Sequence, residues 1–125
     1  MVIVHAKPKR KSSGARYKSF RGKRKFESGR NPSMTKVGST KSRSKRIIGG
    51  GKKSFLLNAN TANIYDTKIK KHVKVKVIGV LESPANHNYV RRNILTKGTI
   101  IDTDKGKARI TSRPGQGSSL EAIFI

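Results

Sequence analysis

Apolar and polar positions alternate most regularly over residues 72–81, where Val73, Val75 and Val77 fall on one side and Lys74 and Lys76 on the other. That period of two predicts a half-buried strand with the valines turned inward. Beyond Val77 the run Ile78-Gly79-Val80 interrupts the alternation, and Gly79 predicts a bulge or bend. Shorter apolar runs at 54–57 and 62–65 read as strands on either side of the turn-prone Asn58-Ala59-Asn60. Residues 99–103 and 107–112 flank Asp104-Lys105-Gly106, a hairpin connection with glycine where a positive φ is wanted. Residues 83–88 read as a loop around Pro84, and Pro114-Gly115 supplies a type II turn before a last strand at 120–125. Ile100, Ile110 and Phe124 are expected to join the valines in one core.

Residues 5–46 have no such grammar. Lys9-Arg10-Lys11 and Lys23-Arg24-Lys25 are separated by small residues and by Tyr17 and Phe20, with Phe26 after them, too sparse for a buried helix face. Gly14, Gly22 and Gly29 would each cost a helix about 1 kcal/mol. A helical turn around 20–27 is expected only with a partner. Residues 31–46 continue as a Ser-, Thr- and Lys-rich extended segment, and Ile47-Ile48 then precede Gly49-Gly50-Gly51.

Short strands, turns and no sustained helical period predict an all-β protein, with a small antiparallel β-barrel as the closure that best removes exposed edges. The expected organisation is a basic extension at 1–46, disordered when free, followed by a β-barrel domain at 47–125.

Charge sharpens this division. The first 53 residues hold 18 of the 30 Lys and Arg with Glu27 as the single acid, a net +17 of the chain's +24. They also hold only 13 of its apolar residues, against 28 in the remaining 72. Low hydrophobicity with high charge cannot offset chain entropy, so only the second part is expected to form a core. A block this basic repels itself unless it lies against something anionic. Solvated charge, a membrane-surface tether and a nucleic-acid grip all fit the composition. Phosphate neutralisation with counterion release favours nucleic acid, and no amphipathic apolar face favours a bilayer. Tyr17, Phe20 and Phe26 could stack on unpaired bases or pack on the β domain. The apolar start at residues 1–4 is too short for a signal-peptide core, no run reaches a membrane span, and no cysteine is present. These features lead to the expectation of a soluble, unsecreted chain.

Catalytic and ligand-binding chemistry finds little purchase. Gly49-Gly50-Gly51-Lys52-Lys53 lacks the phosphate-loop spacing, because Arg46 stands five places before Gly51 and Lys53 follows Lys52 where a hydroxyl residue is required. The glycines instead suit close approach of an RNA backbone beside Lys45, Arg46, Lys52 and Lys53, or a flexible joint. Asp66 and Asp104 fall in expected turns and Asp102 on a strand; His5, His72 and His87 share no metal-ligand spacing. No nucleophile-elbow motif is present. Neither an enzyme nor a cofactor, metal or small-molecule substrate is expected.

The stretch ESPANHNYVRRNILTKGTIIDTDKGKARITSRPGQG at 82–117 closely resembles the archaeal form of the eukaryotic-type small-subunit ribosomal protein eight family. The resemblance rests on Pro84-Ala85-Asn86, Val90-Arg91-Arg92-Asn93-Ile94, Thr96-Lys97-Gly98, Gly106-Lys107-Ala108-Arg109 and Thr111-Ser112-Arg113-Pro114-Gly115-Gln116. In the basic part it extends through Lys23-Arg24-Lys25-Phe26-Glu27 and Gly29-Arg30-Asn31-Pro32, and it covers nearly the whole chain. Ile48, Gly51 and Asn58 depart from it, where the family tends to have arginine, asparagine and arginine.

The resemblance implies a small β-barrel with a basic extension, bound to small-subunit ribosomal RNA among neighbouring small-subunit proteins in the cytoplasm. Charge, turns and matching motifs nominate RNA contacts at Lys9, Arg10, Lys11, Arg16, Tyr17, Lys18, Arg21, Lys23, Arg24, Lys25, Arg30, Lys36, Lys41, Arg43, Lys45 and Arg46. Gly49, Gly50, Lys52, Lys53, Arg91, Arg92, Lys97, Arg109 and Arg113 complete the set. A DNA-compacting architectural protein is the alternative that the same composition would serve. Against it, the sequence displays neither a recognition helix nor a wedge-bearing β-arm.

Overall fold

A computed structural model describes residues 3–4 and 8–125. The chain forms two compact units, Met1–Pro32 and Ser33–Ile125. In the first, β1 (Ile3–Val4) pairs antiparallel with β2 (Ser28–Gly29), and a single 3-10 turn covers Lys25–Glu27. The second contains β3 (Lys36–Val37), β4 (Lys41–Arg46), β5 (Lys52–Ala59), β6 (Thr61–Asp66), β7 (Lys71–Glu82), α1 (Asn88–Arg91), β8 (Ile100–Thr103), β9 (Gly106–Ile110) and β10 (Glu121–Phe124). By contact the chain therefore divides after Pro32, ahead of the charge-based division at 46/47, because the basic strand β4 is paired to β5.

Five strands close a barrel in the order β10-β6-β7-β8-β9, and β3, β5 and β4 make a separate three-stranded sheet. The expected all-β barrel is present. One seam departs from the antiparallel expectation: β10 runs parallel to β6, with Glu121 opposite Asn63 and Ile123 opposite Tyr65. Local alternation carries no information on strand direction, so this seam could not be read from sequence.

The 12-residue strand β7 serves two neighbours in succession. Lys71–Lys76 pair with β6, whereas the register with β8 begins at Val77 and ends at Glu82. This stagger is what a closed barrel demands of its strands. Register shifts at Val77/Gly79 and Val80/Glu82 bend β7, as Gly79 led us to expect. Gly106, at φ +128, turns the β8–β9 hairpin.

Val75 and Val77 are buried and Val73 packs against the core, while Lys74 and Lys76 are exposed. The barrel interior is narrow, and cross-strand pairs set alanine against a branched side chain. Ala62 faces Val75, Ala108 faces Ile101, and Ala122 faces both Ile110 and Ile64. All of these are buried, so small and large residues share each layer. Ile110 and Phe124 join the core as expected, but on β8 the inward residue is Ile101, not Ile100. The alternation Ile100, Ile101, Asp102, Thr103 is ambiguous because two adjacent isoleucines suit either phase; pairing of Val80 with Ile101 sets the inward one.

Val75→Asp places a carboxylate in this interior and is expected to abolish folding, whereas Lys74→Asp, one position along and outward, leaves the fold intact. Circular dichroism and thermal melting of the two variants check the face assignment; equal melts contradict it.

Candidate nucleic-acid interface

Strands β4 and β5 form a ribbon. Every residue of Lys41–Arg46 is exposed, as are Lys52 and Lys53. Pairing sets Lys45 opposite Lys53 and Arg46 opposite Lys52. Because side chains alternate, Arg43, Lys45 and Lys53 lie on one face of the ribbon and Arg46 and Lys52 on the other. Like charges directly opposed across strands are destabilising. No Asp or Glu lies between Glu27 and Asp66, so neither strand carries an acid to compensate. A ribbon with this local conflict is suited to an anion spanning both strands.

At its tip the backbone reverses through a 3-10 turn at Ile48–Gly50, closed by bonds from the Ile47 N–H to the Gly51 carbonyl (2.7 Å) and from the Gly50 N–H to the Ile47 carbonyl (3.3 Å). Gly49 and Gly50 take φ of +82 and +81, which explains glycine here by backbone geometry. The three glycines are thus the turn of a paired hairpin. This also corrects the sequence reading in a second respect: a β-arm with exposed apolar residues at its end, Ile47 and Ile48, is present.

The base of the ribbon is tied to a second group of candidates. The buried Thr35 hydroxyl donates to the Leu56 carbonyl (2.7 Å), and the Thr35 carbonyl accepts from the Leu95 N–H (2.8 Å). Val37 donates to the Asn93 carbonyl (3.1 Å), so segment 35–37, with exposed Lys36, lies between β5 and the loop that follows α1. Arg91 and Arg92 project from the end of that helical turn, where the sequence suggested a loop-to-strand junction. Four residues are too few to impose a readable helical period. Asn93 positions both: it adopts φ +49, and its side-chain oxygen accepts from the Val80 N–H (3.3 Å) on β7. Sequence reasoning missed this role, although asparagine is among the non-glycine residues that most readily take that conformation.

Arg113 opens a turn at Pro114-Gly115 as expected, its carbonyl accepting from Gln116 (2.9 Å) and Gly117 (3.2 Å), but the turn is not type II, because Gly115 lacks the positive φ that type requires. The Pro114 carbonyl accepts from the Leu56 N–H (3.0 Å), which brings this turn to the same strand, β5. Lys97 is exposed on the turn before β8, and Arg109 is exposed on β9 between Ile100 and Ile123. Arg109 therefore stands on the barrel wall, outside the group gathered at β5.

In the first unit Lys9, Arg10, Lys11, Arg16, Tyr17, Lys18, Arg21, Lys23, Arg24, Lys25 and Arg30 are all exposed. Arg10 donates to the Gly14 carbonyl (2.8 Å) and bridges to Arg16 across a tight loop. The Lys11 ammonium lies 5.7 Å from the Tyr17 ring centroid. Arg21 pairs with Glu27 and lies 5.1 Å from the Phe20 ring and 5.7 Å from that of Phe26. Phe20 and Phe26 remain 80% and 66% exposed, with the Arg21 guanidinium beside each ring.

Asp66 and Asp104 serve turns and backbone, as expected. Asp66 accepts from the N–H groups of Lys68 (2.9 Å) and Ile69 (3.4 Å), and Asp104 from that of Lys76 (3.2 Å). His72 lies against Tyr65 with ring centroids 5.0 Å apart, and His5 lies outside the described residues. Among the described residues no three His, Asp or Glu side chains converge as a metal site, and no helix is long and apolar enough to cross a membrane.

Comparison with known proteins bears on what this basic surface serves. The profile of the ribosomal protein S8e family matches residues 4–125. Small ribosomal subunit protein eS8 of Methanocorpusculum labreanum is 48% identical over 124 residues, covering 99% of each chain. The proteins of the same name from Methanobrevibacter smithii and Sulfolobus acidocaldarius are 47% and 46% identical, over 100% of this chain and 100% and 98% of theirs.

Asn93→Ala removes the acceptor of a part-buried N–H and leaves a Cβ-bearing residue without a compensating bond at positive φ. It is expected to cost about 1–3 kcal/mol. Arg91→Ala and Arg92→Ala, at exposed side chains, are expected to stay within about 0.5 kcal/mol of the unaltered chain. Urea denaturation of the three variants measures the difference.

Proposed function

The chain belongs to the ribosomal protein S8e family, and on that premise we propose that it is a non-catalytic structural constituent of the cytoplasmic small ribosomal subunit. It binds small-subunit ribosomal RNA through its basic extension, the β4–β5 ribbon and the loops carrying Arg91, Arg92 and Arg113. Neighbouring small-subunit proteins are its further partners. The observation that carries this reading is the ribbon itself, where Lys45 opposes Lys53 and Arg46 opposes Lys52 with no acid on either strand. Phosphates on both faces convert those repulsions into attraction, and release of their counterions supplies the binding energy.

The basic extension binds by a different route. Its cations are exposed and its apolar content is low, which supports ordering on RNA at the expense of chain entropy. Between RNA segments it screens their mutual repulsion. Arg91, Arg92 and Arg113 add directional contacts, since the planar guanidinium grips phosphate at two points and stacks on bases.

A second reading has one observation in its favour. A basic β-ribbon with an apolar tip also suits an architectural protein that bends duplex DNA. The two separate in a competition titration at near-physiological salt, with a small-subunit rRNA fragment against duplex DNA of equal phosphate count. Ribosomal RNA is expected to win, because folded RNA offers splayed bases and 2′-hydroxyls that charge alone does not recognise. Equal competition, or preference for the duplex, contradicts the proposal. Affinity for the rRNA fragment is expected to fall by roughly three or more orders of magnitude between about 50 and 200 mM salt, for on the order of ten phosphates neutralised. Replacing Arg91, Arg92 and Arg113 together by alanine should weaken that binding and leave the melting temperature unchanged; unchanged affinity removes them from the interface.

A further inference from the structure

Ile47 and Ile48 crown the basic ribbon, 41% and 82% exposed, although the barrel has a core that excludes water. An isolated exposed isoleucine is unremarkable on a protein surface. These two are adjacent, sit at the most distal point of a hairpin, and are bracketed within the strands by Lys45, Arg46, Lys52 and Lys53. Ile47 is anchored: its N–H bonds to Gly51, and its side chain lies where a Cβ on Gly51 would meet it at 3.2 Å. Ile48 is thereby presented outward, on a turn closed by two hydrogen bonds.

The pattern fits a surface that is apolar at one point and anionic on both sides of it. Nucleic acid has that chemistry: the faces of its bases are apolar and planar, and its phosphates run alongside. Resting on the ribosomal reading above, we propose that the tip is an apolar wedge, with Ile48 entering an opened base step of small-subunit ribosomal RNA while the four flanking cations hold the adjacent phosphates. The step is at a bulge, internal loop or junction. The major groove of a continuous A-form helix is too deep and narrow for side chains, and its base faces are covered by their neighbours. Inserted apolar side chains act in this way when they part base steps. A bilayer shares the pairing of anionic and apolar chemistry, but two isoleucines give it little area to bury.

The chain has no cysteine, so Ile48→Cys creates a unique attachment point for a tethered hydroxyl-radical source. Lys105→Cys, on the β8–β9 turn, provides a control position. The probe is an in-vitro transcribed archaeal small-subunit rRNA. Cleavage from position 48 is expected at a few discrete nucleotides around an unpaired segment, different from those reached from position 105. Diffuse cleavage, none, or cleavage confined to continuous helices overturns the wedge.

In parallel, Ile48→Ser is expected to lower affinity for the same transcript about tenfold without altering the dependence of affinity on salt, because no charge is removed. At a side chain 82% exposed this substitution leaves the fold intact, which melting verifies. Unchanged affinity overturns the proposal, as does a loss seen only on vesicles of 30% anionic lipid. Failure of the unaltered chain to bind the transcript at all would instead count against the ribosomal reading.

Discussion

Closure of the barrel by β10 is the constraint on which everything else depends. Its four residues bond to β9 on one side and β6 on the other, and Leu120, just before it, is buried with its carbonyl accepting from Asn63 (2.9 Å). Without that seam β6 and β9 would present open edges, and a core this small cannot tolerate them. The closed barrel in turn fixes β5. One half of that strand, with Leu56 and Ala59, belongs to the barrel core; the other half carries Lys52 and Lys53 into the ribbon. Burial of a leucine side chain is worth about 1.5–3 kcal/mol. Two unit charges about 4 Å apart in water repel by only roughly 1 kcal/mol, less with salt. The anchor therefore outweighs the repulsion, and the ribbon keeps its form with its charges unmatched.

Four of the six acids are engaged locally and do not relieve that surface. Glu27 pairs with Arg21, Asp66 and Asp104 accept backbone N–H groups, and Glu121 accepts from the Ser119 hydroxyl (3.1 Å). Each stabilises a turn or strand end close by. A carboxylate so placed supports the fold without forming a counter-patch to the basic face. Positive potential is thus left over the ribbon and its surroundings, where it attracts a polyanion over distances of about a Debye length.

What was legible in the sequence follows from where apolar alternation is strong. The valines of β7 set its inward face, and Gly106 marked a hairpin correctly. The β4–β5 ribbon escaped because its alternation, Lys41-Ser42-Arg43-Ser44-Lys45, is polar against polar, and strand recognition rests on apolar contrast. With the strand unrecognised, the adjoining glycines read as a loop or joint. The same blindness hid the β-arm and the exposed isoleucines at its tip. Ile101 rather than Ile100 faces inward for a reason outside its own strand, the register imposed by β7. The contact residues show a parallel limit. Charge, turns and motifs nominated exposed cations throughout the chain, but not which of their segments the fold links: those of Lys36, Arg91, Arg92 and Arg113 are tied to β5 directly or in turn through bonds of Thr35, Asn93 and Pro114, which are long-range.

The two basic parts differ in how they would meet RNA. The ribbon is already paired, so its cations are oriented before contact and little further order is lost on binding. The extension has few apolar residues with which to hold a conformation, and apart from the two-residue β1–β2 pairing the side-chain bonds described within it are local, such as Arg10 to Gly14 and Arg21 to Glu27. Binding by such a segment spends interaction energy on ordering, but it reaches surfaces that a rigid barrel cannot. A rigid element sets where the protein sits; a compliant one follows the contours found there. On the proposed function, joining them in one chain would let specificity come from the ribbon and loops while the extension contributes affinity that salt can modulate. Charge is common to both parts, so on the proposed function any discrimination between ribosomal RNA and another polyanion would have to reside in the barrel-anchored part.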